Sequence, residues 1–230
     1  MRFVTAAWAV FQKDLQMELR RRYALNALAM FVAASLLLVV FALEGEPVSA
    51  RVSAALLWIV LVFAASVGLG RAFVMEEEAG TVLLLQLHVP PGAVYTGKLV
   101  YNALLTVGLN LAAAAGFLLV TGRPVTTPLL LLLTLVLGAV GLAGATTLLA
   151  AIIARTAGGG PLLAVLSFPV LVPLLFSVVR LTQRATREAV PGAPLLDPWN
   201  AAMPDLTALV GYAGLVITAS ALLFEYVWRD

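Results

Sequence analysis

Hydrophobic positions along this chain come in long blocks, and the polar positions gather between them. Residues 24–43, 54–75, 99–120, 129–154, 162–180 and 206–228 are almost wholly apolar. A helix rises about 1.5 Å per residue, so about 20 apolar residues match a hydrocarbon core of about 30 Å. The pattern predicts an all-α polytopic membrane protein with six transmembrane helices. Residues 1–23 differ, because they are too charged to span. There Val4, Trp8, Phe11, Leu15 and Leu19 recur at steps of three and four, while Gln12, Lys13, Gln16 and Arg20 take the other side. This spacing predicts an amphipathic helix lying flat at the interface, with Arg20, Arg21 and Arg22 held among headgroups before the first span. A cleaved signal would follow its charges with a short apolar run and a small-residue cleavage site, whereas here a full-length span follows.

Pro, Gly or charge marks each connection, at 44–53, 76–98, 121–128, 155–161 and 181–205. With the N-terminus in the cytoplasm, the cytoplasmic segments hold Arg2, Lys13, Arg20, Arg21, Arg22, Arg71, Lys98, Arg155 and Arg229. The other side holds Arg51, Arg123, Arg180, Arg184 and Arg187. That bias predicts both termini inside.

Composition removes several classes of function. Only 11% of residues are charged and 62% are hydrophobic, against about 25% charged in soluble domains. No sizeable soluble domain fits beside six spans, and residues 1–230 read as one transmembrane domain. There is no cysteine, hence no disulfide, thiolate metal site or thiol redox chemistry in this chain. The basic residues sit at helix ends and form no stripe that could follow nucleic acid. The two halves share no motif that would suggest an inverted-repeat transporter.

A search for chemistry within the spans finds no ionisable residue near a midplane, where ion and proton pathways place them. Arg71 and Arg180 lie near span ends and Glu225 in the last turn of the sixth span. No Gly-x-x-x-x-Gly-Lys-Ser/Thr pattern is present, and Gly158, Gly159, Gly160 and Pro161 read as a turn. Any ATP must therefore be bound by a partner chain. No metal site or catalytic residue is indicated.

The most informative connection is 76–98, EEEAGTVLLLQLHVPPGAVYTGK. Gly80 and Thr81 open a short helix running to about Leu87, with Thr81 as its cap and Glu76, Glu77 and Glu78 ahead of its positive end. Pro90 and Pro91 stop it, and Lys98 marks the return to the membrane. Two readings stay open. One is a membrane-parallel helix, apolar on Val82, Leu83, Leu85 and Leu87, against which a soluble partner pushes; the other is an interfacial loop whose leucines dip into lipid. His88, the single histidine, reads more readily as a solvated loop side chain than as an iron ligand. Gly138, Gly141 and Gly144 recur every three residues in the fourth span, a stripe that suits close packing within the chain or a seam between copies. Arg180, Arg184 and Arg187 would share one face of a helical continuation of the fifth span, positioned for anionic lipid, an acidic partner or carboxylates such as haem propionates.

An acidic residue, Gly-Thr, an apolar run, Pro and a Lys opening the next span, here Glu76, Gly80, Thr81, Pro90 and Lys98, resemble the coupling-helix region of ABC-2 type exporter permeases. The amphipathic segment ahead of the first span resembles the connecting helix of that fold. Within this group the chain most resembles the haem exporter protein B (CcmB) family of cytochrome c maturation. The resemblance runs over the whole chain and is most specific in LVLGAVGLAGATTLLAAII, followed by an arginine, a glycine run and LLAVLSFPVLVPLLF with Pro169 and Pro173. It departs from the family pattern at Val82 and Leu83, where an acidic residue is common.

The resemblance implies a permease subunit in the bacterial inner membrane, without enzymatic activity of its own, in two copies with two copies of a CcmA-like ATPase. It also implies CcmC-like and CcmD-like partners, and ATP turnover linked to release of a haem-loaded CcmE-like chaperone. It assigns ATPase coupling to Glu76, Glu77, Glu78, Gly80, Thr81, Pro90 and Lys98. With one histidine and no Cys-x-x-Cys-His motif, the chain is expected to hold no cofactor of its own, haem being handled by the complex. An ABC-2 permease for a lipid, glycan or drug would share the coupling segment, and a non-transporting assembly factor would use it to bind something else.

Overall fold

The computed structural model describes residues 3–44, 46, 48–69, 80, 82–154, 160–187 and 197–229. Its elements are α1 (Phe3–Arg21), α2 (Tyr23–Leu43), α3 (Ala50–Leu69), α4 (Val82–His88), α5 (Pro91–Thr121), α6 (Pro128–Ala154), α7 (Gly160–Ala185) and α8 (Asp197–Arg229). Among the described residues there is no strand. Leu25–Leu43, Pro91–Thr121, Pro128–Ile152, Phe168–Ala185 and Pro198–Tyr226 are long and apolar enough to cross a membrane, and Ala50–Ser66 is a shorter apolar stretch. The chain is thus an all-helical, multi-pass membrane protein.

The long helices run up and down around α6. Its apolar window is 67% buried, against 11% for that of α2, so α6 is the central post and α2 leans on the outside. The stripe of small residues explains the close approach to α6. A Cβ at Gly138 would overlap the Trp58 ring of α3, one at Gly141 would overlap Leu174 of α7, and one at Gly144 would lie 3.0 Å from Ile217 Cγ1 of α8. The three glycines are therefore filled by side chains of the same chain. Trp58, fully buried, donates its indole N–H to Thr182 Oγ1 at 2.8 Å and ties α3 to α7. The Tyr212 hydroxyl of α8 donates to the Val170 carbonyl at 2.9 Å, beside the two prolines inside α7.

Helix ends differ from the sequence expectation in three places. The third span starts at Pro91 rather than Leu99, because proline is pre-organised for the first helical position and its missing N–H costs nothing there. The expected loop 181–205 is largely helical, α7 running on to Ala185 and α8 starting at Asp197. The Ala185 carbonyl at the end of α7 accepts from the Thr126 and Thr127 N–H groups at 2.9 and 3.2 Å, which stops the helix there. Of the expected turn, Gly160 and Pro161 belong to the start of α7, while Gly158 and Gly159 lie outside the described residues.

α1 also turns a different face inward. Of the apolar stripe read from the sequence, Phe11 is buried, but Val4, Trp8 and Leu19 are exposed. The face packed on α5 carries Ala6, Ala7, Val10, Asp14 and Glu18. Small residues decide this: at Gly97 of α5 an added Cβ would lie 2.6 Å from the Ala7 carbonyl oxygen and 2.7 Å from Val10 Cβ. The small side chains of α1 let it come that close to the α5 backbone.

Candidate functional site: a braced surface helix and a buried polar seam

One end of the bundle carries α1, α4, the start of α5, the end of α6 and the end of α8. Gly80 takes a positive φ of 65°, the left-handed turn that glycine adopts without strain, just ahead of α4. Helix α4 ends where Pro90, extended at φ −58° and ψ 138°, becomes the cap of α5. α4 is braced from below. Leu85 is buried in a cluster with Val10, Val94, Tyr95, Ala150, Ala151, Phe224 and Trp228, which belong to α1, α5, α6 and α8. Gln86 Nε2 donates to the Trp228 carbonyl at 2.6 Å. Phe224 stacks on Trp228 at a centroid separation of 5.4 Å and meets Tyr95 in a tilted contact at 5.3 Å. Leu87 is 78% exposed and His88 is exposed beside it, so α4 presents Leu87 outward while Leu85 packs on the bundle.

Lys98, expected at the return to the membrane, lies within α5 rather than at its start. It sits two turns inside α5, 1% exposed, with Nζ 3.1 Å from Asp14 Oδ2 of α1. The Lys13 ammonium lies 3.4 Å from the other Asp14 oxygen, although without hydrogen-bond geometry. Glu18, one turn on, accepts the Leu25 N–H at 3.0 Å across the left-handed Arg22, which fixes the corner between α1 and α2. Extending α5 by two turns beyond the expected start brings Lys98 into the fold near one end of that helix, and Asp14 compensates its charge.

Lys98 heads a row. Asn102, Thr106 and Asn110 follow at steps of four, all buried. Asn102 Nδ2 donates to Thr147 Oγ1 at 2.8 Å, and Asn110 Nδ2 donates to the Leu135 carbonyl at 3.2 Å, both on α6. Thr106 donates to the Asn102 carbonyl at 2.7 Å. Such interhelical bonds average about 0.6 kcal/mol in membrane proteins, so the row fixes the register of α5 on α6 more than it adds stability. The four-residue period was legible in the sequence; Asp14 was not, being 84 positions away.

Of the residues assigned to coupling, Glu76, Glu77, Glu78 and Thr81 lie outside the described residues. Gly80 and Pro90 bracket α4, and Lys98 is inside the fold. At the opposite end the three arginines are separated. Arg184 pairs with Asp205 of α8, Arg180 Nη1 lies 3.7 Å from the same carboxylate, and the Arg180 guanidinium stands 5.0 Å over the Phe176 ring. Arg187, past the end of α7, lines a different cleft. One acidic residue on α8 thus satisfies two of the cations expected to receive an outside partner. Among the described residues no three His, Asp or Glu converge on a point that could hold a metal ion.

These features define a multi-pass helical membrane subunit with a braced helix at one end. The family model described as CcmB protein matches residues 5–210, from α1 into α8. Heme exporter protein B of Rhodobacter capsulatus is 30% identical over 191 residues, which are 81% of this chain and 87% of that protein. The chain belongs to the CcmB family.

Proposed function

We propose that this chain is the membrane permease subunit of an ABC-type system for haem export and cytochrome c maturation. The observation that carries the mechanical part of this reading is the bracing of α4: Leu85 buried against four helices, and Gln86 bonded to the end of α8. A load on α4 moves α5, α6 and α8 together, since packed side chains transmit displacement with little compression. The load comes from a separate CcmA-like ATPase, which binds the ATP and meets Glu76, Glu77, Glu78, Gly80, Thr81 and Pro90. Lys98 acts from inside by holding α1 to α5.

In this reading α3 is the sixth span, since its 20 residues reach about 30 Å. α1 lies at the cytoplasmic interface of the inner membrane, with Val4, Trp8 and Leu19 turned to lipid and its inner face on α5. Both termini are cytoplasmic. Two copies assemble with two ATPases and with CcmC-like and CcmD-like proteins, and the complex acts on a haem-loaded CcmE-like chaperone. Purification of the tagged chain in mild detergent tests the assembly: an ATPase together with haem-handling proteins is expected, and recovery without any ATPase excludes the reading.

The chain has no cysteine, so single cysteines report topology without background. Thr5→Cys at α1 and Pro124→Cys between α5 and α6 are expected to label from opposite sides of sealed vesicles. Equal labelling from outside removes the orientation.

The purified chain alone is expected to show no stoichiometric Soret band on addition of haem, as it offers one histidine, exposed, and no cysteine. A band abolished by His88→Ala would assign His88 to haem instead.

A further inference from the structure

Beside the Asp205 pairs, at the end of the bundle away from α4, lies a cleft of about 850 Å³ between the ends of α2, α5 and α7 and the start of α3. Arg51 of α3, Arg123 of the α5–α6 loop and Arg187 after α7 all line it, and Glu46 is the acidic residue among the described lining. Unlike Arg180 and Arg184, neither Arg51 nor Arg187 has an ion-pair partner among the described residues. Arg123 is held in place by donating Nη2 to the Val48 carbonyl, which leaves its other N–H groups directed elsewhere. Three guanidinia from three elements, with one carboxylate among them, form a positive site that bidentate oxyanions fit.

While Ser49, Thr121 and Gln183 add neutral polar groups, the lining also has an apolar side, formed by Val40, Leu43 and Val120. It continues onto an outward apolar surface, where Leu37, Leu38 and Phe41 of α2 and Leu119 of α5 are exposed by 57%, 69%, 73% and 83%. The arginines therefore stand at the depth where apolar helix surface gives way to loops, which is headgroup level. A soluble oxyanion would use only the polar half of such a cleft, whereas a phosphodiester carrying acyl chains uses both.

From this geometry we infer that the cleft is a binding site for an anionic phospholipid, its phosphate held by Arg51, Arg123 and Arg187 and its acyl chains lying on α2 and α5. The inference is independent of the transport reading.

Native mass spectrometry of the full-length protein in mild detergent tests it, with phosphatidylglycerol, phosphatidylcholine and inorganic phosphate as probes. Wild type is expected to retain phosphatidylglycerol over phosphatidylcholine. Arg51→Gln combined with Arg187→Gln should reduce that preference by about fivefold per arginine, and Arg51→Lys with Arg187→Lys should keep most of it. Neither residue has an ion-pair partner among the described residues, and Arg123 is left alone to hold Val48. An unchanged preference in the glutamine variant overturns the site. Displacement of the lipid by inorganic phosphate at equal concentration overturns the lipid as its ligand, as does displacement by a porphyrin dicarboxylate.

Discussion

Lys98→Ala is expected to lower the stability of the folded protein by about 3–5 kcal/mol, because it strands a buried carboxylate. Asp14 has 7% of its side chain exposed, and Lys98 has 1%. Lys13, 3.4 Å from the other Asp14 oxygen and 35% exposed, is too solvated to replace Lys98 fully. The loss should appear first as detachment of α1, since Gly97 brings α1 against α5 only one residue away from the ion pair. Thermal unfolding in mild detergent, together with protease cleavage within α1, measures both effects. Combining Lys98→Met with Asp14→Asn should recover most of the stability, because a neutral pair of similar volume leaves no charge behind. A Lys98→Ala variant that melts like wild type and keeps α1 protected would show that the pair is not structural.

Reversal of Glu76, Glu77 and Glu78 to lysine is expected to weaken association with the ATPase by at least about tenfold, since placing like charges across an interface costs several kcal/mol. The fold should survive, because the substitutions fall in a charged connection and leave the apolar blocks that form the spans unchanged. Leu85→Asp separates binding from transmission. It puts a charge where Val94, Tyr95 and Phe224 pack, so α4 loses its bracing while the acidic segment is unchanged. That variant should bind the ATPase but fail to couple hydrolysis to the activity of the complex. Unaltered binding and activity after charge reversal would withdraw the coupling role of the segment.

The legibility of this protein in its sequence varied with the range of the interaction concerned. α4 was expected from Gly80 to about Leu87 and occupies Val82–His88, because a glycine turn, an apolar run and a proline are local signals. The apolar blocks were equally clear, but their ends were placed short wherever helix continued into polar residues. α5 takes in Pro91–Lys98, and α8 takes in Asp197–Asp205. Hydropathy marks where lipid contact stops, and hydrogen bonding carries the helix past that point. The inward face of α1 could not be read from amphipathicity, since the strongest apolar stripe faces outward and an Ala–Val–Asp–Glu face meets the protein. In lipid, apolarity does not distinguish inside from outside, and small residues that permit close approach do.

By itself the sequence determined the membrane class, the short helix between two long ones, and the absence of thiol chemistry, all of which follow from composition and local pattern. The tertiary structure decided which charges meet. Lys98 found Asp14, two of the three clustered arginines found Asp205, and Arg187 joined Arg51 and Arg123 in a cleft. The physical reason is the reach of the forces involved. Hydropathy and helix capping act within a few residues of the chain, whereas an ion pair in a bundle depends on which helices pack side by side, and that is settled by the small residues that let them approach.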